Sequence, residues 1–308
     1  MLKLRPPRND VRVKPFPHLV WDRPPAPQRI GLALGGGAAR GFAHIGVLEV
    51  LEEEGIPIHS IVGCSSGAII GALFAAGVSA HKQHELIRDL RWHTISTLSL
   101  LPRGLASFNW SLATSPLGLL DLNKLVKWLQ VAMGEIRTFE ELQMPFAAVA
   151  TDIVTSELVI MNEGVIGPAV RASCSVPGVF TPFRRDKRLL VDGGVIANLP
   201  VQVARQMGAE YVIASDLLPA PGEHHKEPEN IIDLTFTSIY ALIRANQGYG
   251  EQAECTISPE IAKYSLMDLT AAEELIAAGR AAAIAQLPRI RRDLKLDNTP
   301  ISTHDTPD

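Results

Sequence analysis

Two kinds of hydrophobic run alternate along this chain. Short, almost uninterrupted apolar stretches, "RIGLAL" (29–34), "SIVGCS" (60–65), "PFAAVATDI" (145–153), "ELVIMN" (157–162), "RLLVDG" (188–193) and "AEYVIASDL" (209–217), predict strands, the first two buried on both faces of a parallel sheet. Between and after them lie segments whose apolar positions recur at helical spacing. "ARGFAHIGVLEVLEEEG" places Phe42, Ile45, Leu48 and Leu51 on one face, leaves Glu52 to Glu54 at an exposed end and offers Gly55 as a cap. "SGAIIGALFAAG" (66–77) predicts a second helix, and "IIDLTFTSIYALIRANQ" and "TAAEELIAAGRAAAIAQLPRIRRDL" predict two closing helices. Strand, helix, strand, helix within about fifty residues implies right-handed βαβ units, hence an α/β fold with a mostly parallel central sheet covered by helices on both faces.

The same pattern marks what lies outside that sheet. Residues 1–28 form a proline-rich arm, 29–292 one folded domain and 293–308 a flexible tail. "LPAPGEHHKEPEN" (218–230) is a polar, proline-bearing loop. Residues 94–120 carry one charge, Arg103, among many leucines with Phe108 and Trp110. Core packing between helices and a lipid-contacting lid are both open for that stretch.

Composition narrows the class. The 308 residues are 46% hydrophobic, enough for a sizeable core. A net charge of −4 gives no basic field for nucleic acid. Cys64, Cys174 and Cys255 are few, odd in number and far apart, without the spacing of a zinc site, which fits a reducing compartment. The N-terminal arm lacks the continuous apolar stretch of a signal peptide or spanning helix, so a cytoplasmic protein is expected, with weak attraction of the basic arm to anionic lipid as a further reading.

Two glycine-rich turns carry the candidate chemistry. Gly35, Gly36 and Gly37 end the first strand just before a helix, whose amide N–H groups and dipole make the turn an anion site. A dinucleotide site would place an acidic residue at the tip of the second strand. This chain places Cys64 there, followed by the rest of a G-x-S-x-G pentapeptide, Gly63-Cys64-Ser65-Ser66-Gly67, at a strand-to-helix turn, the setting of a nucleophile elbow. Ser65 is the candidate nucleophile, and two bases are open to it. Asp192, at the end of "LLVD", serves directly if burial raises its pKa. Alternatively a triad uses Asp192 or Asp216 with His224 or His225. A non-catalytic, nucleotide-binding or regulatory protein with a vestigial elbow is the third reading.

Four blocks in order, "GLALGGGAARGFAHIGVLEVLEEEGI", "IVGCSSGAIIGALFAAG", "ASCSVPGVFTP" and "LLVDGGVIANLPV", resemble the patatin-like phospholipases, particularly bacterial members and the catalytic domain of neuropathy target esterase, over about residues 29–290. The resemblance implies a three-layer α/β/α patatin-like fold and hydrolysis of acyl-lipid carboxylic esters, of phospholipase A or lysophospholipase type, through an acyl-enzyme. It needs no metal or organic cofactor. It makes Ser65 the nucleophile and Asp192, leading Asp192-Gly193-Gly194, the base of a dyad without histidine. It assigns the oxyanion hole to backbone N–H groups of Gly36, Gly37 and Ala38, supported by Gly35, Arg40 and Gly41, with Gly63 and Gly67 shaping the elbow. Ala38 stands at the third position of the usual G-x-G-x-x-G and resists positive φ, which leaves open which amides point into the hole. His44 is expected to be a buried histidine held by backbone, and Asp152 a structural residue. Ser173 and Pro177 are expected in an acyl-pocket wall, and Asn198 and Pro200 at a helix cap and first turn. An acyl lipid is the expected partner, with membrane contact through residues 94–120.

Overall fold

A computed structural model describes residues 29–88, 90–98, 117–218, 227–228, 231–246 and 252–296. The arm 1–28, most of the apolar stretch 94–120, His224, His225 and residues 297–308 lie outside the described residues. The strands are β1 (Ile30–Leu34), β2 (Ile58–Cys64), β3 (Thr97–Leu98), β4 (Gly118–Asp121), β5 (Phe146–Asp152), β6 (Glu157–Met161), β7 (Gly178–Phe180), β8 (Phe183–Arg185), β9 (Arg188–Asp192), β10 (Tyr211–Ser215) and β11 (Cys255–Ile257). The helices are α1 (Ala43–Glu53), α2 (Ser66–Ala75), α3 (Ala80–Ile87), α4 (Trp92–Ile95), α5 (Asn123–Ala132), α6 (Ile166–Ser173), α7 (Gly194–Ala197), α8 (Val201–Gln206), α9 (Ile231–Asn246) and α10 (Ala272–Asp293).

Among the described residues the main sheet has eight strands in the order β11-β10-β1-β2-β5-β9-β8, with β6 also paired to β5. The first five run parallel, and β6, β9 and β8 add antiparallel pairs. A small second sheet, β3-β4-β7, stands apart. Side chains alternate across the central strands with period two. Ile30, Leu32, Leu34, Ile61, Phe146 and Ile213 pack into the larger core cluster with α1, α2 and α10. Ala33, Val62, Ala147, Val149, Val212 and Ala214 face the other way, against Val201, Val203 and Ala204 of α8. Small residues on that second face let α8 lie close, completing the three layers. Glycine sets one further close approach: a methyl on Gly279 of α10 would collide with the carbonyl of Ala43 in α1.

The sheet explains how residues far apart in sequence meet. β5 uses one edge for β6, and β2 and β9 share its other edge end to end. β2 runs parallel to β5 and ends with Cys64 opposite Val149. β9 runs antiparallel and ends with Asp192 opposite Ala150. The two chain ends therefore point at one another across adjacent positions of β5. The tail begins later than expected: Leu294 is buried and Leu296 packs on the core, so the fold continues past residue 292 through Leu296. Among the described residues, no helix is long and apolar enough to cross a membrane.

Candidate active site

Ser65 sits between β2 and α2 with φ 53° and ψ −122°, a left-handed backbone that costs a non-glycine residue about 1–3 kcal/mol. Its surroundings hold that strain in place. A methyl on Gly63 would strike the carbonyl of Gly67, and one on Gly67 the carbonyl of Leu34, so the turn closes only with glycine at both positions. The Ser65 N–H donates to Ser173 Oγ at 2.9 Å, and the Cys174 thiol donates to the Ser65 carbonyl at 3.3 Å. Ser173 is thus a fastener of the elbow. The expected pocket-wall role passes to its neighbours Cys174 and Val176, because Ser173 is fully buried under the turn and Pro177 does not line the pocket.

Asp192 stands beside the elbow, 5% exposed. Its Oδ1 accepts the Gly194 N–H at 2.8 Å and the Cys64 thiol at 3.6 Å. Its Oδ2 is buried with no hydrogen-bond partner among the described residues. Burial raises the Asp192 pKa to about 6, against the opposing pull of the Ser65 hydroxyl, the Gly194 N–H and the Cys64 thiol, which favour the carboxylate. The hydroxyl and the carboxylate therefore sense one another, while no closed hydrogen bond joins them in the resting arrangement, a common state of catalytic pairs without substrate. Gly193 is required where it is, since a methyl there would meet the carbonyl of Val149.

The glycine turn packs against both. Gly35 N–H donates to the Ser215 carbonyl at 3.1 Å and Gly36 N–H to the Asn198 carbonyl at 3.2 Å. Asn198 Nδ2 returns a bond to the Gly36 carbonyl at 3.3 Å. Asn198 is therefore a clamp between the turn and the Asp192 loop. It is not the expected helix cap: α8 starts after Pro200 without a side-chain cap. Gly37 N–H is held by Ser66 Oγ at 3.1 Å. Ala38 N–H has no acceptor among the described residues, and Ala38 itself adopts φ 50°, the conformation its side chain disfavours. Of the three amides assigned to the hole, Ala38's is open at rest, Gly37's is held by a side chain that can release it, and Gly36's is tied to backbone. A methyl on Gly41 would collide with the Ser66 side chain, and one on Gly36 would stand 2.6 Å from Asn198 Oδ1.

Two buried residues with nitrogen-bearing side chains follow the turn. The Arg40 guanidinium, on a residue 4% exposed, donates to the carbonyls of Ala262 and Tyr264 at 2.8–3.0 Å. His44 Nε2 must donate to the Gly35 carbonyl, 2.8 Å away, so Nδ1 accepts from the Ser215 hydroxyl at 2.8 Å. Burial pushes the His44 pKa down to about 4, which keeps the ring neutral at ordinary pH. Asp216, a candidate acid for a triad, instead pairs with Arg244 at 3.1 Å and accepts the Leu218 N–H at 3.0 Å. Asp152 accepts the Val154 N–H at 3.1 Å inside its own turn. Among the described residues, no group of three or more His, Cys, Asp or Glu is placed to hold a metal ion.

Ser65 opens into an apolar cavity that is partly open to solvent. Ala38 and Ser65 lie in its wall, with Ile69 of α2, Leu125 and Trp128 of α5, and Phe236 of α9. Its apolar lining suits an aliphatic chain.

Residues 32–205 match the family model described as patatin-like phospholipase. An "uncharacterized NTE family protein" of Mycobacterium tuberculosis is 36% identical over 203 residues, 66% of this chain and 53% of that protein. The human "patatin-like phospholipase domain-containing protein 6" is 38% identical over 191 residues, 61% of this chain and 13% of that protein. The crystal structure of VipD from Legionella pneumophila superposes with a TM-score of 0.49 at 14% identity, covering 86% of this chain and 67% of that one. The chain spans about half the length of the mycobacterial relative and far less of the human one. With the family model spanning more than half of the sequence, and both glycine turns and the Asp192 loop inside that span, the chain belongs to the patatin-like phospholipases.

Proposed function

We propose that this chain hydrolyses carboxylic esters of acyl lipids, as a phospholipase A or lysophospholipase, with Ser65 as nucleophile and Asp192 as general base. The observation that carries the reading is the buried Asp192 carboxylate, coupled to the Ser65 hydroxyl and with one oxygen, Oδ2, left bare, while Ser65 itself lines an apolar cavity. With the acyl chain in that cavity, the ester carbonyl lies over Ser65. As Oγ attacks the carbonyl carbon, its proton passes to Oδ2, and the carbonyl π electrons move onto oxygen. The Ala38 N–H faces that oxygen, joined by the Gly37 N–H when Ser66 Oγ releases it; one such donor is worth about 100-fold to 1000-fold in rate. Collapse of the tetrahedral species expels the alcohol, which takes the proton from Asp192. Water, activated by the same carboxylate, then attacks the acyl-enzyme, and the fatty acid leaves.

The test is ester hydrolysis by purified Ser65→Ala and Asp192→Asn proteins, with thermal melts confirming the fold and a fluorophosphonate probe reporting the nucleophile. Loss of turnover in both, with labelling that requires Ser65, is the expected result. Substantial hydrolysis by either variant refutes the dyad.

A further inference from the structure

The two oxygens of the Asp192 carboxylate live in different surroundings: Oδ1 has two donors and Oδ2 has none. One donor to Oδ1 is backbone, the Gly194 N–H, and belongs to the Asp-Gly-Gly turn whatever the side chains are. The other is the thiol of Cys64, the residue immediately before the nucleophile, fully buried and 3.6 Å from Oδ1. The second position of G-x-S-x-G is open in that motif, so the motif itself gives this thiol no role.

We propose that Cys64 is a positioning residue for the base: its S–H anchors the Oδ1 edge of the Asp192 carboxylate, so that Oδ2 is the edge turned toward Ser65. This rests on the Ser65–Asp192 reading above and adds to it a residue that neither touches substrate nor exchanges a proton with it. β2 and β9 end against one another on β5, and Cys64 is the last residue of β2, so the thiol is delivered to the carboxylate by strand register. Burial, reinforced by the Asp192 charge, pushes the Cys64 pKa well above its ordinary value, which keeps the sulfur protonated and therefore a donor. A thiol is a weak donor. It orients the carboxylate while stabilising the ionised form only slightly, and a base that must take a proton loses strength with every strong donor it accepts. Cys174 cannot replace it, because that thiol donates to the Ser65 carbonyl.

The other ionisable groups around Asp192 leave its titration readable. Cys64 from β2, Cys174 after α6 and Tyr240 from α9 all have pKa values pushed up, by burial first and by the Asp192 charge second. Arg40, whose charge reaches Tyr240, stays cationic. The remaining neighbours, the Ser65 hydroxyl and the Gly194 N–H, do not titrate. An acidic limb in kcat/KM thus reports Asp192.

The experiment measures kcat/KM for p-nitrophenyl butyrate against pH in wild type and Cys64→Ala. Losing a donor to the carboxylate disfavours ionisation, so the acidic midpoint moves up. A shift of about 0.5–1 pH unit lowers the ratio of kcat/KM at about pH 5 to that at about pH 8 by about three- to tenfold. The second readout does not depend on that variant folding. The infrared S–H stretching band of Cys64 in the wild-type protein shifts through the same midpoint as activity, and in Asp192→Asn it no longer moves with pH. An unmoved midpoint in Cys64→Ala, or a wild-type Cys64 band indifferent to pH across the limb, overturns the proposal. If Asp192→Asn is inactive while those results come out negative, the dyad stands and only the thiol's role falls. Turnover by Asp192→Asn would instead remove the dyad beneath it.

Discussion

Replacing Asp192, the proposed base, with Asn should stabilise the fold, by an amount that depends on pH in a defined direction. Burial raises the Asp192 pKa from the ordinary 3.8 to about 6 in the folded protein. A carboxyl with a raised folded pKa binds more protons in the native than in the unfolded state between those two values, so it makes stability fall as pH rises through that window. Below about pH 4 the group is neutral in both states and costs nothing. Above about pH 7 it is ionised in both, and the native state carries the full cost, about 3 kcal/mol for a pKa difference of about two. Asn keeps the shape, its carbonyl still accepts the Gly194 N–H at the Oδ1 position, and its NH₂ sits where Oδ2 has no donor. Urea unfolding of both proteins at about pH 4, 6 and 8 tests this. The variant should be more stable by about 3 kcal/mol at pH 8, with the gain shrinking toward zero at pH 4. A variant no more stable than wild type at pH 8, or a difference flat with pH, would refute the claim that the base is held in a desolvated, energetically costly state.

Three further outcomes follow from the geometry. In Gly41→Ala the new methyl pushes on the Ser66 side chain, which positions the Gly37 N–H, so kcat should fall about 100-fold with KM less affected, measured by steady-state ester hydrolysis. Ile69→Trp narrows the cavity next to Ser65. Each excluded methylene forfeits about 0.8 kcal/mol, so shutting out about four should lower kcat/KM for p-nitrophenyl palmitate relative to butyrate by about 200-fold. Gly279→Ala drives a methyl into the Ala43 carbonyl where α10 crosses α1 and should cost about 1–3 kcal/mol in denaturant unfolding.

The sequence pattern was most informative where burial was complete. β1, β2, β5 and β10 are buried along all or most of their length, and their apolar runs are visible without any tertiary information. β11 was not legible, because three residues with an exposed Thr256 at the centre carry no pattern of their own and exist as a strand only through pairing with β10. β8 is three residues that begin half-buried and end exposed, and β3, β4 and β7 hold together as a separate small sheet of two to four residues each. The candidate site divided in the same way. Gly63 answers a local demand for backbone space, whereas Gly67 and Gly193, crowded by the distant Leu34 and Val149 carbonyls, were readable only as parts of the G-x-S-x-G and Asp-Gly-Gly motifs. The duties of Ser173, Ser66, Asn198 and Cys64 were not, because each binds an atom that tertiary folding brings near: the N–H of Ser65, the N–H of Gly37, both polar groups of Gly36, and Oδ1 of Asp192. A serine or asparagine in the sequence announces a capacity for such bonds without naming the partner.

The meeting of Ser65 and Asp192 is at bottom a matter of strand register. Cys64 pairs with Val149, which places Ser65 one step further on, at the level of Ala150, and Ala150 is the residue that pairs with Asp192. Strands arriving from opposite directions on one edge of β5 therefore deliver hydroxyl and carboxylate to the same level. A slip of β9 by one residue would set Val191 or Gly193 opposite Ala150 and turn the carboxylate to the other face of the sheet. That slip is opposed from both sides: Leu190 and Val191 are buried in the native register, and a methyl at Gly193 would already meet the Val149 carbonyl. The apolar residues that make β9 a strand thus also fix the distance between the two chemical groups. Packing in the core and readiness for chemistry are set here by the same pairing.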